Sequence, residues 1–262
     1  MQKVPKKVLT TNLFKKIKAK YIYIFLMILA LILLPVFWNS RIKWTFEKAY
    51  GIRLPLKYTI HGIDISHHQE AINWEKVALA RSKKSKISFC FIKATEGISI
   101  ADKDFEKNWS GCKKVGIKSG AYHFYIPWVD AKLQAKNFLS KVTFKKGDLV
   151  PVLDFEKEGG VKHWLTLKIN VEVFLDAVEA KCGVKPIIYT NKHIYNKYIK
   201  GNFDDYPLWI ADYKSAELSN YNAAKKLFLW QHSENGRVSG IRGGVDFNVF
   251  LGTENEFKEI CL

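Results

Sequence analysis

Eight short apolar runs, rich in β-branched and aromatic residues, recur along the chain from Tyr58 onward and constrain its fold most strongly. They lie at Tyr58–Ser66, Lys86–Ala94, Ser119–Ile126, Leu149–Glu156, Lys185–Thr190, Pro207–Tyr213, Leu227–His232 and Gly244–Leu251. Stretches with helical spacing lie between them, at Trp74–Ser82, Asp104–Val115, Asp130–Val142, Asn170–Cys182 and Asn191–Ile199. Strands alternating with helices indicate a parallel sheet, and eight of them favour a closed barrel. The last connection is too short for a helix, so the sequence predicts an irregular α/β, TIM-like barrel with incomplete outer helices.

An uncharged, strongly apolar run of 18 residues, Tyr21 to Trp38, precedes the barrel region. As a helix it just reaches across a bilayer core, and aromatic residues stand at both of its ends. A cleaved signal peptide is the alternative, but the run exceeds a typical signal core and no small-x-small cleavage site follows. The sequence therefore predicts a basic cytoplasmic tail at 1–20, a transmembrane helix at 21–38, a stalk at 39–57 and a barrel domain at 58–262, outside the cytoplasm.

The net charge of +17 is concentrated around the predicted span. Residues 1–60 carry twelve Lys and Arg against Glu47 alone, a balance of +11. The other 202 residues carry 30 basic and 24 acidic groups, a balance of only +6. Basicity is thus mostly a property of the membrane flank, and a nucleic-acid-binding function loses most of its support.

The cysteines and histidines give no metal-site spacing. Four cysteines allow three full disulfide connectivities in an exported domain, and the sequence leaves their pairing open: Cys90, Cys112, Cys182 and Cys261. His67 and His68 lie close to Asp64 along the chain, but adjacent residues rarely ligate one ion well. We therefore expect neither a metal nor another cofactor.

The run Val150–Glu156 ends in two acids, Asp154 and Glu156, separated by one residue. Side chains two apart on a strand share a face, so these carboxyls are expected to lie side by side. Desolvation and mutual repulsion raise the pKa of at least one, which gives a protonated acid beside an ionised one. That is the chemistry of glycosidic bond cleavage. An isolated Asp-x-Glu is more commonly a pair of surface acids. The residues at the other strand ends therefore decide between a surface pair and a catalytic pair.

Those other strand ends carry acids, amides and aromatic rings, which together are typical of a carbohydrate site. Acidic groups end the first run and begin the last, at Asp64 and Asp246. Aromatic and amide groups at the remaining ends are Tyr122, Tyr189, Trp209, Tyr213 and Gln231. Any one of these aromatics alone would be read as core, and only the joint pattern indicates a site.

Seven motifs in order make the chain resemble glycoside hydrolase family 25, the Chalaropsis-type lysozymes. They are Gly62–Gln69, Phe91–Gly97, Gly120–Phe124, Pro151–Glu156, Leu208–Tyr213, Trp230–His232 and Val245–Phe250. The resemblance implies a monomeric barrel domain, without a metal, that cuts peptidoglycan glycan strands between N-acetylmuramic acid and N-acetylglucosamine. It also implies roles for particular residues: Glu156 as general acid, Asp154 as its partner at the substrate acetamido group, Asp64 and Asp246 as further site acids, and Tyr122, Tyr189, Trp209, Tyr213 and Gln231 in the groove.

Two questions stay open from the sequence alone. Adjacent carboxyls leave no room for an inverting water, which suits attack by the substrate acetamido group, although a covalent carboxylate intermediate is an alternative. Asp-x-Glu does not separate a muramidase from a chitinase-like hydrolase of other acetamido sugars. A non-catalytic wall-binding module is the third candidate, but such a protein has no reason to keep a crowded acid pair.

Overall fold

The computed structural model describes residues 20–29, 31, 43–82, 85–159, 163–221, 224 and 226–262. The chain divides into residues 1–42 and a compact unit, Lys43–Leu262. Residues 20–29 are helical, with exposed side chains. In the described ranges, no helix has both the length and the apolar character needed to cross a membrane. Much of the predicted span at 21–38, namely residues 30 and 32–38, lies outside those ranges, as do residues 1–19 of the predicted tail.

Eight strands of the compact unit close into a barrel, which confirms the predicted architecture. In chain order they are β3 (Ile60–Ile65), β4 (Ile87–Glu96), β6 (Lys118–Phe124), β7 (Val152–Asp154), β8 (Ile187–Asn191), β9 (Leu208–Ala211), β10 (Leu227–Gly236) and β11 (Val245–Phe250). Three further strands lie outside the barrel wall: β1 (Trp44–Glu47), β2 (Ile52–Pro55) and β5 (Ile100–Ala101). From β3 to β10 each barrel strand pairs in parallel with the next along the chain.

The last strand departs from the predicted parallel sheet, because β11 is antiparallel to both of its neighbours, β10 and β3. Only residues 237–244 separate β10 from β11, whereas a parallel crossover needs a dozen or more. A reversed strand begins where its neighbours end. Asp246 near the start of β11 therefore pairs with Asp64 near the end of β3, and both lie at the rim where the parallel strands end.

The five predicted helices are present and pack outside the barrel, although the fourth begins at Trp164 and not at Asn170, and the last helix, Glu254–Phe257, was not predicted. The helices are α1 (Trp74–Leu79), α2 (Phe105–Lys114), α3 (Ala131–Lys141), α4 (Trp164–Cys182), α5 (Lys192–Ile194, continued by a π turn over Tyr195–Ile199) and α6 (Glu254–Phe257). Asp130 caps the N-terminus of helix α3, because its carboxylate accepts a hydrogen bond of 2.7 Å from the Leu133 amide. Gly183 caps the C-terminus of helix α4, with a φ of 73° that favours glycine. Between β9 and β10 the described residues hold only a 3₁₀ turn, Ser219–Tyr221, so the outer ring of helices is incomplete.

Aromatic rings opposite glycines fill the barrel interior. A Cβ atom on Gly62 of β3 would lie 2.4 Å from the Phe89 ring, and one on Gly120 of β6 would lie 2.4 Å from the Phe91 ring. Neither contact is possible without movement, so these two glycines make room for the two rings. The rings belong to the apolar floor on which the polar residues of the rim rest.

The hairpin formed by β1 and β2 belongs to the same unit as the barrel, although the sequence prediction places residues 39–57 in a stalk. Tyr50, Ile52 and Leu54 are buried in the main core. The Trp44 indole donates a hydrogen bond of 3.1 Å to the Ala216 carbonyl, and its ring packs edge-on against Trp230. The prediction missed this element because its apolar residues are few and interspersed with charged ones.

Candidate active site

Four carboxyl groups meet at the rim where the parallel strands end. Asp64 is the next-to-last residue of β3, Asp154 is the last residue of β7, Glu156 lies just beyond β7, and Asp246 is the second residue of β11. The Asp64 charge contributes to the raised pKa of each of the other three, which places all four within electrostatic reach of one another. The structure thus brings together the four acids that the sequence predicted as a site.

Asp154 and Glu156 form the central pair of the site, and Asp154 is the more deeply buried of the two. Its backbone is fixed on both sides, because its carbonyl accepts from the Tyr125 amide at 2.9 Å and the next amide, Phe155, donates to the Tyr189 carbonyl at 2.9 Å. Its Oδ1 atom is buried and makes no hydrogen bond within the described residues. Burial first, and then repulsion from Glu156 and other acids, raises the pKa of Asp154 well above its ordinary value.

Glu156 is less buried than Asp154 and also has a raised pKa. Burial is the main cause, the Tyr189 hydroxyl opposes it, and the Asp64 charge reinforces it. Two carboxyls with raised pKa values, side by side, cannot both ionise easily near neutral pH. These shifts agree with the predicted arrangement of a protonated acid beside an ionised one, and burial favours the proton on Asp154 as well as on Glu156.

A network of amide side chains holds Asp64. Its Oδ2 atom accepts hydrogen bonds from Gln231 Nε2 at 2.8 Å and from Asn248 Nδ2 at 2.6 Å. Burial raises the pKa of Asp64 to about 6 against the opposing effect of these two hydrogen bonds. Burial and the nearby Asp64 charge raise the pKa of Asp246 to about 8. The second acid pair, Asp64 and Asp246, thus also titrates in the range where a protonated acid is available near neutral pH.

The predicted groove residues divide into an outer and an inner set. Tyr213 is 43% exposed, and its hydroxyl donates to Gln231 Oε1, which also accepts from the Tyr189 hydroxyl at 2.8 Å. Tyr122 is half-buried beside the acids, whose charges, after burial, raise its pKa further. Trp209 is only 2% exposed, so its ring lies in the floor beneath the site and not in an open groove.

Three residues at this rim were missed in the predicted set of site residues, although two of them, Asn248 and Lys93, lie within the strand-end motifs. Asn248 connects Trp209 to Asp64, because its Oδ1 accepts a 2.8 Å hydrogen bond from the Trp209 indole. Its position two residues after Asp246, on the same strand face, was the available signal. Lys93 points to the inner face of β4, as Phe89 and Phe91 do, and lies near the acids.

Trp128 is the third missed residue and lies 51% exposed after β6. Its ring approaches Gly159, where an added Cβ atom would lie 3.6 Å from it. The loops that follow β6 and β7 therefore come together at this rim, with an aromatic surface open to solvent. Such a ring is of the kind that stacks on the apolar face of a sugar.

The structure does not assemble the His67–His68 pair into a metal site. His67 Nδ1 lies 2.7 Å from Asp102 Oδ2, and the two imidazole rings pack against each other with centroids 4.2 Å apart. Across the described part of the chain, no group of three or more His, Cys, Asp or Glu side chains is arranged to hold a metal ion. All four cysteines are free thiols, with Cys90 and Cys112 fully buried.

Comparison with known proteins gives a consistent set of relatives. The sequence pattern described as Glycosyl hydrolases family 25 matches residues 63–241. An uncharacterized Escherichia coli K12 protein, YegX, is 43% identical over 211 residues, covering 80% of this chain and 76% of its own. Lysozyme M1 of Streptomyces globisporus is 32% identical over 206 residues, covering 74% of this chain and 68% of its own. A family 25 glycosyl hydrolase structure from Bacillus anthracis superimposes with a TM-score of 0.70 at 31% identity, covering 79% of this chain and 95% of its own.

Proposed function

This chain belongs to glycosyl hydrolase family 25, and we propose that it cleaves the β-1,4 bond between N-acetylmuramic acid and N-acetylglucosamine in peptidoglycan. Relatives that are named lysozymes or muramidases support this substrate. The observation that carries the proposal is the cluster of four acids with raised pKa values at one rim of the barrel. A wall-binding module would have no use for so costly an arrangement.

Glu156 is the general acid of this reaction. It is the more accessible carboxyl of the central pair, and its raised pKa keeps a proton available for the leaving glycosidic oxygen. Asp154, the last residue of β7, is more deeply buried than Glu156 and receives the substrate acetamido N–H. The acetamido oxygen then attacks the anomeric carbon, and water opens the resulting oxazolinium ion with Glu156 acting as base. Detection, during turnover, of a sugar covalently bonded to a carboxylate oxygen of Asp154 or Glu156 would contradict this route. It would show instead that the reaction passes through a conventional glycosyl–carboxylate intermediate.

The bond that is cut can be identified directly. Purified Lys43–Leu262 would be incubated in parallel with peptidoglycan and with chitin, and the released products would be analysed by mass spectrometry. We expect soluble muropeptides with N-acetylmuramic acid at the new reducing end. Release of chitin oligosaccharides at a comparable rate would favour the alternative hydrolase of acetamido sugars. Binding to the wall without product release would favour the non-catalytic module.

We further propose that residues 21–38 anchor the enzyme in a membrane, with residues 1–20 cytoplasmic and the barrel unit outside the cytoplasm. The support is the uncharged apolar run, with its terminal aromatics and preceding lysines, together with the exposed helical residues 20–29. The full chain should stay with membranes through an alkaline carbonate wash, and a variant without residues 21–38 should not. Digestion of the barrel unit by protease added outside intact cells would test the orientation.

A further inference from the structure

Lys157 directly follows Glu156 in the chain, and the proposed mechanism does not use it. Its side chain is exposed, and its ammonium group lies 4.6 Å from the centre of the Phe124 ring. Phe124 is the last residue of β6 and shares a strand face with Gly120, which lies against the aromatic rings inside the barrel. The ammonium of Lys157 therefore lies at the mouth of the barrel, at the end where the acids meet.

Within the described ranges Lys157 forms no ion pair, whereas a neighbouring lysine does. Lys93 Nζ lies 4.7 Å from the centre of the same Phe124 ring and donates a hydrogen bond of 2.7 Å to Glu96 Oε2. Both ammonium groups thus rest on one aromatic ring, whose face attracts cations. The charge of Lys93 is engaged by Glu96, and the charge of Lys157 is open to an anionic group of a bound polymer.

The strand pairing indicates which part of the substrate this ammonium meets. Phe124 pairs in register with Asp154, so the ring beneath Lys157 adjoins the acid that receives the acetamido N–H in the proposed mechanism. In N-acetylmuramic acid the lactyl ether stands on the ring carbon next to the one that bears the acetamido group. A sugar held at Asp154 by its acetamido group therefore directs its lactyl side chain, which ends in a carboxyl group, to the neighbourhood of Lys157.

We propose that Lys157 is a substrate-binding residue that recognises the carboxylate carried by the lactyl side chain of N-acetylmuramic acid. The inference rests on the proposed function and names the part of the substrate that is recognised. On a strand without peptides this carboxylate is that of the lactyl group itself, and on a peptide-bearing strand it belongs to the attached peptide. The N-acetylglucosamine units of chitin carry no such group, so Lys157 gives the site a physical reason to prefer peptidoglycan.

The charge of Lys157 also lowers the pKa of Glu156, so a loss of activity alone would not identify its role. An effect on Glu156 is independent of the charge of the substrate strand. Recognition of a carboxylate, by contrast, disappears when that carboxylate is made neutral. The decisive comparison is therefore between strands of the same sugars that differ only in that charge.

Three preparations of the same glycan strands supply this comparison. Intact strands carry peptides, strands treated with an amidase carry free lactyl carboxylates, and a portion of the latter is converted to neutral methylamides. The full chain is assayed on each as wild type, Lys157→Met, Lys157→Arg and Lys185→Met. Lys185 is the matched control, because its ammonium lies 4.7 Å from the Tyr206 ring and it precedes β8, at the end of the barrel opposite the acids.

On the carboxylate strands we expect Lys157→Met to raise KM by about 3- to 10-fold, as for one exposed charge-assisted contact, with little change in kcat. On the neutral strands it should match the wild type. Lys157→Arg should keep the preference for carboxylate strands, and Lys185→Met should follow the wild type on all three. A KM increase on the intact strands too would show that peptide carboxylates make the same contact, and no increase there would confine it to the free lactyl carboxylate.

Equal KM increases on the carboxylate and the neutral strands would overturn the inference, because the lysine would then act through Glu156 or through the fold. Binding without turnover separates this result from a failure of the proposed function. Glu156→Gln and the double variant Glu156→Gln/Lys157→Met are titrated with both kinds of strand, and the double variant should lose affinity for the carboxylate strands alone. If the wild type cleaves none of the strands, the proposed function fails, and these dissociation constants still decide the role of Lys157.

Discussion

At the scale of single residues, the site holds an arrangement that folding alone would not favour. Asp154 is buried, its Oδ1 atom makes no hydrogen bond within the described residues, and the pKa values of Asp64, Glu156 and Asp246 are raised. Each buried carboxyl without full compensation costs free energy of folding. Such departures from good packing concentrate at functional sites, where their cost is offset elsewhere in the molecule.

Glu156→Gln tests the general acid with almost no change in shape. The amide has no proton to donate to the glycosidic oxygen, so we expect kcat on peptidoglycan to fall by about 10²–10⁴-fold or more. Unfolding in urea and retention on insoluble peptidoglycan should stay close to wild type. The matched control is Glu158→Gln, two residues along, whose carboxylate binds Lys197 and Tyr198. Wild-type turnover in Glu156→Gln would refute the assignment.

The sequence predicted the acids of the site better than its aromatic residues. Strand periodicity and position at the strand ends were enough to bring Asp64 and Asp154 to one rim. Asp246 lies near the start of its strand and reaches the same rim only because β11 is antiparallel. Periodicity also placed Trp209 on the inner face of the barrel. Whether such a ring lies in the apolar floor or in the open groove depends on how deep in the barrel it lies. That depth depends on the packing of Phe91 and Tyr189 against Trp209, which no local pattern encodes.

Trp209→Phe tests whether this ring supports the site from below. The change keeps an aromatic core residue but leaves Asn248 Oδ1 without its indole donor and creates a small cavity. We expect a loss of about 2–3 kcal/mol in the free energy of unfolding, measured in urea. The exposed Tyr213→Phe should lose less stability and raise KM instead. A Trp209→Phe variant that is fully stable but binds substrate poorly would place the ring in the groove.

At the scale of elements, the barrel was predictable and its additions were not. Eight runs with strand periodicity and the helices between them are local signals, and the structure confirms them. The orientation of β11 follows only from the length of its connection, and the hairpin of β1 and β2 has no strong pattern of its own. What fixes the hairpin is tertiary: Tyr50 reaches the carbonyl groups of Ala80 and Ser85 through its hydroxyl, at 3.2 and 3.3 Å.

Removing the hairpin tests whether it is part of the folded unit. A protein beginning at Tyr58 lacks the buried side chains of Tyr50, Ile52 and Leu54, whereas one beginning at Lys43 keeps them. The apolar surface lost corresponds to about 4–6 kcal/mol of stabilisation, as an upper estimate. We expect the shorter protein to unfold at clearly lower urea concentration and temperature. Equal unfolding midpoints for the two proteins would restore the interpretation of this segment as a stalk.

At the scale of the whole molecule, two groups of buried residues make stability depend on pH in opposite ways. Burial lowers the pKa of His61 and His123 to about 4 and that of His232 to about 3. The unfolded imidazoles bind protons at higher pH, so stability falls as the pH drops below about 6.5. The rim carboxyls act the other way, because the folded protein keeps their protons. Their contribution falls as the pH rises from about 4 through 6 and 8.

Asp246→Asn tests this balance above pH 6.5, where the histidines no longer contribute. The unfolded Asp246 carboxyl ionises near 3.8, but the folded one keeps its proton to about pH 8. Wild-type stability should therefore decline between about pH 6.5 and 9, and the variant should decline less. Near pH 9 we expect the variant to be more stable by about 2–4 kcal/mol in urea unfolding, with lower activity. The exposed Glu259→Gln is the control and should follow the wild type. A variant whose stability falls as steeply as the wild type would mean that Asp246 is not held protonated by the rim.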